Sequence, residues 1–206
     1  MKIIDLSHQI SDGMATYPSD PDVIITKGKD ISTDRTLQHS FTMGTHTGTH
    51  LDVPAHILNR GKTLSNYSLS HFHGRTIRIN DQTIDELGRF EAEIDGVIYD
   101  TEWYRRYDDP DQYFGSGRPA IPVELVDKVI GMGLKYFGCD LPSVDASGIK
   151  EKPIHLALLG ADIIIYESLT NLGKLPLLTP FDFYGFPLAL KNLDGCPVRA
   201  VGIIGE

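Results

Sequence analysis

The chain has 206 residues, of which 41% are hydrophobic and 23% charged, enough apolar material for one good-sized core and little reason to divide into two. A formal charge of −9 excludes the clustered Lys and Arg on which phosphate recognition depends, so no nucleic-acid partner is expected. The opening MKIIDLSHQI lacks the charged-then-apolar run of a signal peptide and no apolar stretch approaches a bilayer span, which excludes a membrane partner and leaves the cytoplasm as the expected compartment.

In chain order, the residues from Lys2 to Leu6, Val23 to Lys27, Leu37 to Met43, Thr76 to Asn80, Gly96 to Tyr99 and Tyr136 to Cys139 read as short strands, mostly bounded by Gly, Pro, Asp or Ser. The stretch from Trp103 to Gly117 is aromatic, charged and turn-rich without a period, and reads as a long loop of the kind that forms lids or binding surfaces. Pro122 to Met132 is predicted helical, with Pro in the first turn, Glu124 early, apolar residues at helical spacing and Gly133 as the stop. A second helix is expected from Pro153 to Leu159, ending at Gly160 and feeding the apolar strand from Ile163 to Tyr166. These helix-to-strand handovers indicate an α/β fold in a single domain, with a mixed, strand-rich sheet and few helices.

Of eight histidines, three fall with an aspartate in one eleven-residue window, His46-Thr-Gly-Thr-His50-Leu-Asp52-Val-Pro-Ala-His56. Imidazole nitrogen and carboxylate oxygen together suit zinc, manganese or iron, and three protein ligands leave a position open for water. In an extended segment His50 and Asp52 project on one face, and Gly48 permits the turn that returns His46 to the same point. A helix is disfavoured by Thr47, Gly48 and Thr49, and Pro54 pushes Val53 to extended geometry, so the ligands are expected on a strand end and a tight loop. Ordinary surface histidines are the competing reading for any single His, but few folding needs call for the whole set. His56 is either a further ligand or a free acid/base, and the second role is preferred because imidazole titrates near neutrality. Farther on, Glu167 ends an apolar strand and His155 lies on the helix before it. The residues alone read this pair equally well as metal ligands or as a helix-surface His and a solvated Glu.

A metal held there lowers the pKa of bound water, so hydroxide attacks a carbonyl without a serine or cysteine nucleophile, and His56 passes the proton to the leaving nitrogen. Other nucleophiles lack support: Ser143 lies in no G-x-S-x-G elbow, and Cys139 and Cys196 form neither a CxxC pair nor a disulfide framework. Tyr17, Trp103 and Tyr104 are candidate stacking surfaces for an aromatic small-molecule substrate, or else simply pack their loops. His8, His39, His71 and His73 read as structural or exposed.

The segment HTGTHLDVPAH resembles the signature of the cyclase-like metal hydrolases, a family that includes bacterial kynurenine formamidase (arylformamidase) and the isatin hydrolases. The likeness extends to Ile4-Asp5-Leu6-Ser7 and Tyr17-Pro18-Ser19-Asp20 at the front, to the segment from Asp140 to Asp145 as a central strand-loop, and to the segment from Pro197 to Val201 as a closing strand. The resemblance implies a swivelling β/β/α fold and a homodimer or homotetramer whose neighbouring subunits help line the site. It also implies a divalent metal, Zn²⁺ in the formamidases and Mn²⁺ in isatin hydrolase, one or two per chain. His46, His50 and Asp52 match the first metal's ligands, His155 and Glu167 the second's, with Asp52 placed to bridge, and His56 matches the general acid/base. The implied reaction is hydrolysis of an aryl formamide such as N-formylkynurenine, with a cyclic amide or lactone, isatin-like, as the alternative, and a non-catalytic metal- or ligand-binding protein as the alternative of another class. Tyr17 replaces the tryptophan that the formamidases carry before this Pro, which bears on the substrate.

Overall fold

The computed structural model describes residues 1–205. Eleven strands run in chain order: β1 (Lys2–Asp5), β2 (Ile24–Lys29), β3 (Gln38–Thr42), β4 (His50–Asp52), β5 (His73–Ile79), β6 (Gly96–Tyr99), β7 (Tyr136–Cys139), β8 (Ile164–Glu167), β9 (Phe181–Tyr184), β10 (Gly195–Pro197) and β11 (Val201–Ile204). The α-helices are α1 (Ile31–Asp34), α2 (Pro110–Tyr113), α3 (Val123–Gly131) and α4 (Pro153–Gly160). Nine strands form one sheet in the order β1-β11-β9-β5-β6-β7-β8-β4-β10, and β2 and β3 make a separate antiparallel ribbon.

The four central strands, β5 to β8, are parallel, while β9, β11 and β1 on one side and β4 and β10 on the other are antiparallel. Alternation along the central strands divides the apolar residues between two cores. Ile77, Ile79, Val97, Tyr99, Phe137 and Ile165 face the layer of α3 and α4. Ile98, Tyr136, Ile164 and Tyr166 face the other way, where they meet Ile4 of β1, Leu51 of β4 and Cys196 of β10. Strands from both ends of the sheet share that second core, so the sheet is curled upon itself. The backbone extension of β1 completes the curl, since Thr170 just past β8 donates to the Leu6 carbonyl at 2.9 Å.

The predicted strands are present with ends shifted by a few residues, and both predicted helices form, α3 between Pro122 and Met132 and α4 running through Gly160. The loop from Trp103 to Gly117 holds two turns of helix. The second, α2, is favoured locally because Asp109 caps it, accepting from the Gln112 backbone N–H at 3.2 Å, and Pro110 starts it with its φ already set. Asp81–Phe90, which no periodicity announced, is a 3₁₀ segment opened by a reciprocal Asn80–Thr83 capping box and pinned by buried Ile84 and Leu87. The stretch from Pro197 to Val201 is not one closing strand but the corner between β10 and β11, where Val198 donates to the Thr49 carbonyl at 2.9 Å.

The sheet's interior leaves no room beside β6 at Gly96, where an added Cβ would run into the ring of fully buried Tyr136. Gly96→Ala should therefore cost about 1–3 kcal/mol by overpacking, read as a lower urea midpoint with an unchanged m-value. An unchanged midpoint would show that the Tyr136 ring has space to retreat.

Candidate metal centre

The candidate site lies beyond the carboxyl ends of β7 and β8, where the sheet changes from parallel to antiparallel, a place at which neighbouring connections diverge and leave a crevice. In β4, Leu51 points into the second core opposite Tyr166, so His50 and Asp52 must emerge on the opposite face, beneath the α4 layer. The register places His50 across from Glu167. The chain arrives through Gly48 in the left-handed conformation (φ +59°) and leaves through Val53, extended before Pro54 (φ −118°, ψ 165°). From above, α4 lowers His155 into the same space.

The contacts fix the state of each imidazole. His50 Nδ1 lies 2.8 Å from the Gly48 carbonyl and must donate to it, so Nε2 faces the carboxylates, 3.5 Å from Asp52 Oδ1 and 3.5 Å from Glu167 Oε2. His155 Nδ1 lies 2.5 Å from Asp145 Oδ2, and its Nε2 stands 3.4 Å from both Asp52 Oδ2 and Glu167 Oε1. Asp145 is itself fixed by the backbone N–H groups of Ile154 and His155 at the start of α4. His46 Nδ1 lies 2.6 Å from Asp52 Oδ1 and its Nε2 2.9 Å from Asp194 Oδ2. His56 is less enclosed, with its side chain 25% exposed and Nδ1 3.6 Å from Asp194 Oδ2.

Asp52 is the hub. It is fully buried, and its Oδ2 has no hydrogen-bond donor among the described residues. Burial by itself would raise its pKa, but His46, His155 and His50 outweigh burial and hold the carboxyl well below the usual range. Burial likewise opposes charge on His46 and His155, and their carboxylate neighbours overcome it, lifting both to about 10. His56 goes the other way. Burial lowers it, Asp52 pulls it up, and the adjacent His46 and His155 push it down again, leaving it below the ordinary imidazole value.

The donor set fits a divalent cation. An orphaned, buried carboxylate oxygen is costly unless a positive species, a proton on a neighbouring imidazole or a cation, joins it. Two ligands each about 2.1 Å from a tetrahedral zinc stand about 3.4 Å apart, which is the spacing of the His50, His155, Asp52 and Glu167 atoms. The structure gathers two groups with donor atoms within 4.8 Å of one another, His50–Asp52–Glu167 and His46–Asp52–His56, with Asp52 common to both. His50 faces Glu167 across the strand pair at 3.5 Å, and its ring also lies edge-on to that of His46, with centroids 5.2 Å apart.

An open cleft of about 150 Å³ leads to these groups, and its wall includes Tyr17, Asp20, Ser143 and Lys152. Trp103 and Tyr104 are not part of this wall. Trp103 turns its indole N–H to the Tyr113 carbonyl at 3.0 Å, and Tyr104 is pinned through its backbone to Asp140 at 3.1 Å. The loop reaches the site instead through Tyr107 and Phe114, which border a small recess beside Tyr17, His46 and His50. His8, half-buried and pushed down to about 4 by desolvation, stacks on Tyr107 at 3.4 Å.

Asp194 and Asp145 were not singled out in the sequence. Asp194 touches a histidine 148 residues away, a relation that no local spacing encodes.

The family sequence model named Cyclase, described as "Putative cyclase", matches residues 4–146. The chain belongs to the Cyclase family. It is 32% identical to a kynurenine formamidase of Geobacillus thermodenitrificans over 96% of this chain and 95% of that one, and 27% identical to a kynurenine formamidase of Salinibacter ruber over 98% and 97%. Among solved structures it shares the fold of an isatin hydrolase bound to the product analogue thioisatinate, with TM-score 0.85 and 19% identity over 100% of this chain and 93% of that one. Isatin hydrolase A from Ralstonia solanacearum gives 0.84 at 21% identity over 99% and 92%. A structure titled as a potential metal-dependent hydrolase with cyclase activity gives 0.76 at 21% identity over 98% and 96%.

The raised imidazoles make the metal-free fold sensitive to alkali. Their pairing stabilises the folded state fully below the ordinary value of 6.5 and is lost as pH rises through about 10. The thermal midpoint of chelated protein should therefore fall between pH 7 and pH 10 more steeply than that of metal-loaded protein, in which the imidazoles bear no proton to lose. Parallel curves would show that His46 and His155 are not charged in the metal-free protein.

Proposed function

We propose that this chain is a metal-dependent hydrolase that opens a carbon–nitrogen bond other than a peptide bond, an aryl formamide such as N-formylkynurenine. The observation that carries the reading is the buried cage in which His50 and His155 turn their Nε2 atoms to Asp52 and Glu167 while an Asp52 oxygen lacks any donor among the described residues. The substrate is taken from the kynurenine formamidases that match nearly the whole chain.

His46, His50, Asp52, His155 and Glu167 would hold one or two divalent cations, with Asp52 shared. All five offer nitrogen or oxygen, a set that favours Zn²⁺ and also accommodates Mn²⁺. A bound cation of this kind lowers the pKa of water towards neutrality and polarises a carbonyl oxygen. The chain's own groups do the rest. Asp145 and Asp194 hold the rings of His155 and His46 through the nitrogens turned away from Asp52, the orienting role that carboxylates play behind metal-binding histidines. His56, kept below the ordinary imidazole value, is neutral near pH 7 and can accept a proton. With Nδ1 facing Asp194, Nε2 is the atom that takes the proton from water and returns it to the leaving nitrogen, while the Asp194 carboxylate stabilises the transient imidazolium.

A second reading, a cyclic amide or lactone as substrate, draws on the fold shared with isatin hydrolases. A purely metal- or ligand-binding protein is disfavoured by His56, because storage has no use for a neutral imidazole beside the cage. The reading includes a homodimer or homotetramer, supported by the β2–β3 ribbon, which leaves Ile24 and Phe41 more than half exposed. No helix among the described residues is long and apolar enough to cross a membrane, and a cytoplasmic location is part of the same proposal.

Metal analysis paired with hydrolysis of N-formylkynurenine and isatin, before and after chelation, tests the reading. Chelation should abolish turnover and added Zn²⁺ or Mn²⁺ should restore it. His56→Ala should retain the metal and lose about two to four orders of magnitude in kcat, whereas Asp52→Ala should lose both metal and turnover. Undiminished kcat in His56→Ala would remove the acid/base assignment, and turnover untouched by chelation would remove the metal.

A further inference from the structure

The cleft has a wall that the reaction above leaves without a role. Lys152 lines it, with Nζ 5.9 Å from the centre of the Tyr17 ring. Lys152 takes the left-handed backbone conformation (φ 51°, ψ 49°) directly before Pro153, a geometry unfavourable for any residue with a side chain. Its ammonium forms no ion pair or hydrogen bond among the described residues. Asp20, the other charged group on this wall, lies beyond ion-pair distance from it, although near enough for Lys152 to lower the Asp20 carboxyl against the larger, raising effect of burial.

Tyr17 carries a second cation. The Arg118 guanidinium, only 7% exposed, sits 5.7 Å from the same ring. One of its nitrogens donates to the Asp145 carbonyl at 2.7 Å, and Nε and Nη1 have no partner. One aromatic ring at the cleft wall is thus flanked by two cations, neither of them in an ion pair with a carboxylate among the described residues. Arg118 is enclosed and cannot meet a ligand directly, but its charge adds to the field at Tyr17. Lys152 faces the open cleft and can meet one. A buried or half-buried cation without a counter-ion is a standing cost in the free protein, and an incoming anion relieves it.

We propose that Lys152, seated over Tyr17, is a specificity-determining residue that selects substrates carrying a carboxylate away from the scissile amide. The inference rests on the hydrolase reading of the same cleft and narrows it. The imidazole and carboxylate cage takes the reacting end of the molecule, Tyr17 offers a face to its aromatic body, and Lys152 binds the carboxylate. An uncharged cyclic amide of similar size leaves Lys152 unpaired and is the poorer ligand.

The test uses metal-loaded protein and two readouts. In the first, kcat/KM is measured for formanilide and for formanilides bearing a carboxylate at the 2-, 3- or 4-position. At least one carboxylated compound should exceed formanilide by about tenfold, the difference expected of one charge-assisted hydrogen bond. Lys152→Met should erase that advantage through KM with metal content and thermal midpoint retained, while Lys152→Arg should keep most of it. The second readout is calorimetric binding of benzoate and of benzamide, which needs no turnover. Lys152→Met should weaken benzoate by about tenfold and leave benzamide alone. Benzoate affinity that is equal in wild type and Lys152→Met would overturn the proposal, as would a wild type that prefers formanilide. If no formanilide is turned over while benzoate binding still depends on Lys152, the hydrolase reading fails and the anion-selecting role of Lys152 stands.

Discussion

A carboxylate with almost no exposure to water, surrounded by imidazoles, is the constraint around which this molecule is arranged. Asp52 cannot be ionised in such a place without positive partners, and it cannot be neutral without abandoning three histidines that are turned towards it. In the metal-free protein the balance is struck by protons on His46 and His155. A divalent cation satisfies the same demand with one particle and at shorter range. The charge requirement of the cage and the Lewis acidity that amide hydrolysis needs are therefore met by the same ion.

The curled sheet exists in a form that makes this constraint tolerable. Leu51 and Tyr166, adjacent on neighbouring strands, are buried in the apolar core, and the two-residue alternation then obliges His50, Asp52 and Glu167 to face the other way. Because β4 and β8 are hydrogen-bonded to one another, the separation of His50 from Glu167 is fixed by backbone geometry rather than by flexible side chains. The helix α4 is set by the Asp145 carboxylate, which accepts from two of its first N–H groups and also holds the His155 ring. One side chain thus couples the start of a helix to the orientation of an imidazole. His56 escapes the cage because it lies on the 3₁₀ turn Pro54–His56 that follows β4, close enough to be influenced by the other imidazoles and open enough to exchange a proton.

The sequence carried the parts of this arrangement that depend on short-range rules. His50, Asp52, Gly48 and Pro54 spell out a strand entered by a left-handed turn and left by a forced extended residue, and α3 and α4 follow from helical spacing with Pro at their starts. The pairing of His155 with Glu167 was ambiguous by sequence because it depends on how α4 packs over β8, which spacing along the chain does not state. Asp194 and Lys152 were invisible, the first because its partner is distant in the chain, the second because a lysine before a proline looks like any solvated turn. Trp103 and Tyr104 were open to two readings, stacking surface or loop packing. Aromatic composition suggested a stacking surface, but a buried Asp140, raised to about 6 by its burial, draws the Thr101 and Tyr104 backbone N–H groups inward and leaves Tyr107 and Phe114 to reach the cleft.

The most direct examination of the central claim is anomalous diffraction from crystals of the zinc- or manganese-loaded protein, recorded on both sides of the metal's absorption edge. The account predicts a peak between Asp52 and Glu167, ligated by nitrogen from His50 and His155 and by oxygen from the two carboxylates, with no sulfur. A peak at some other place in the molecule, with these four side chains still packed as in the metal-free protein, would contradict it.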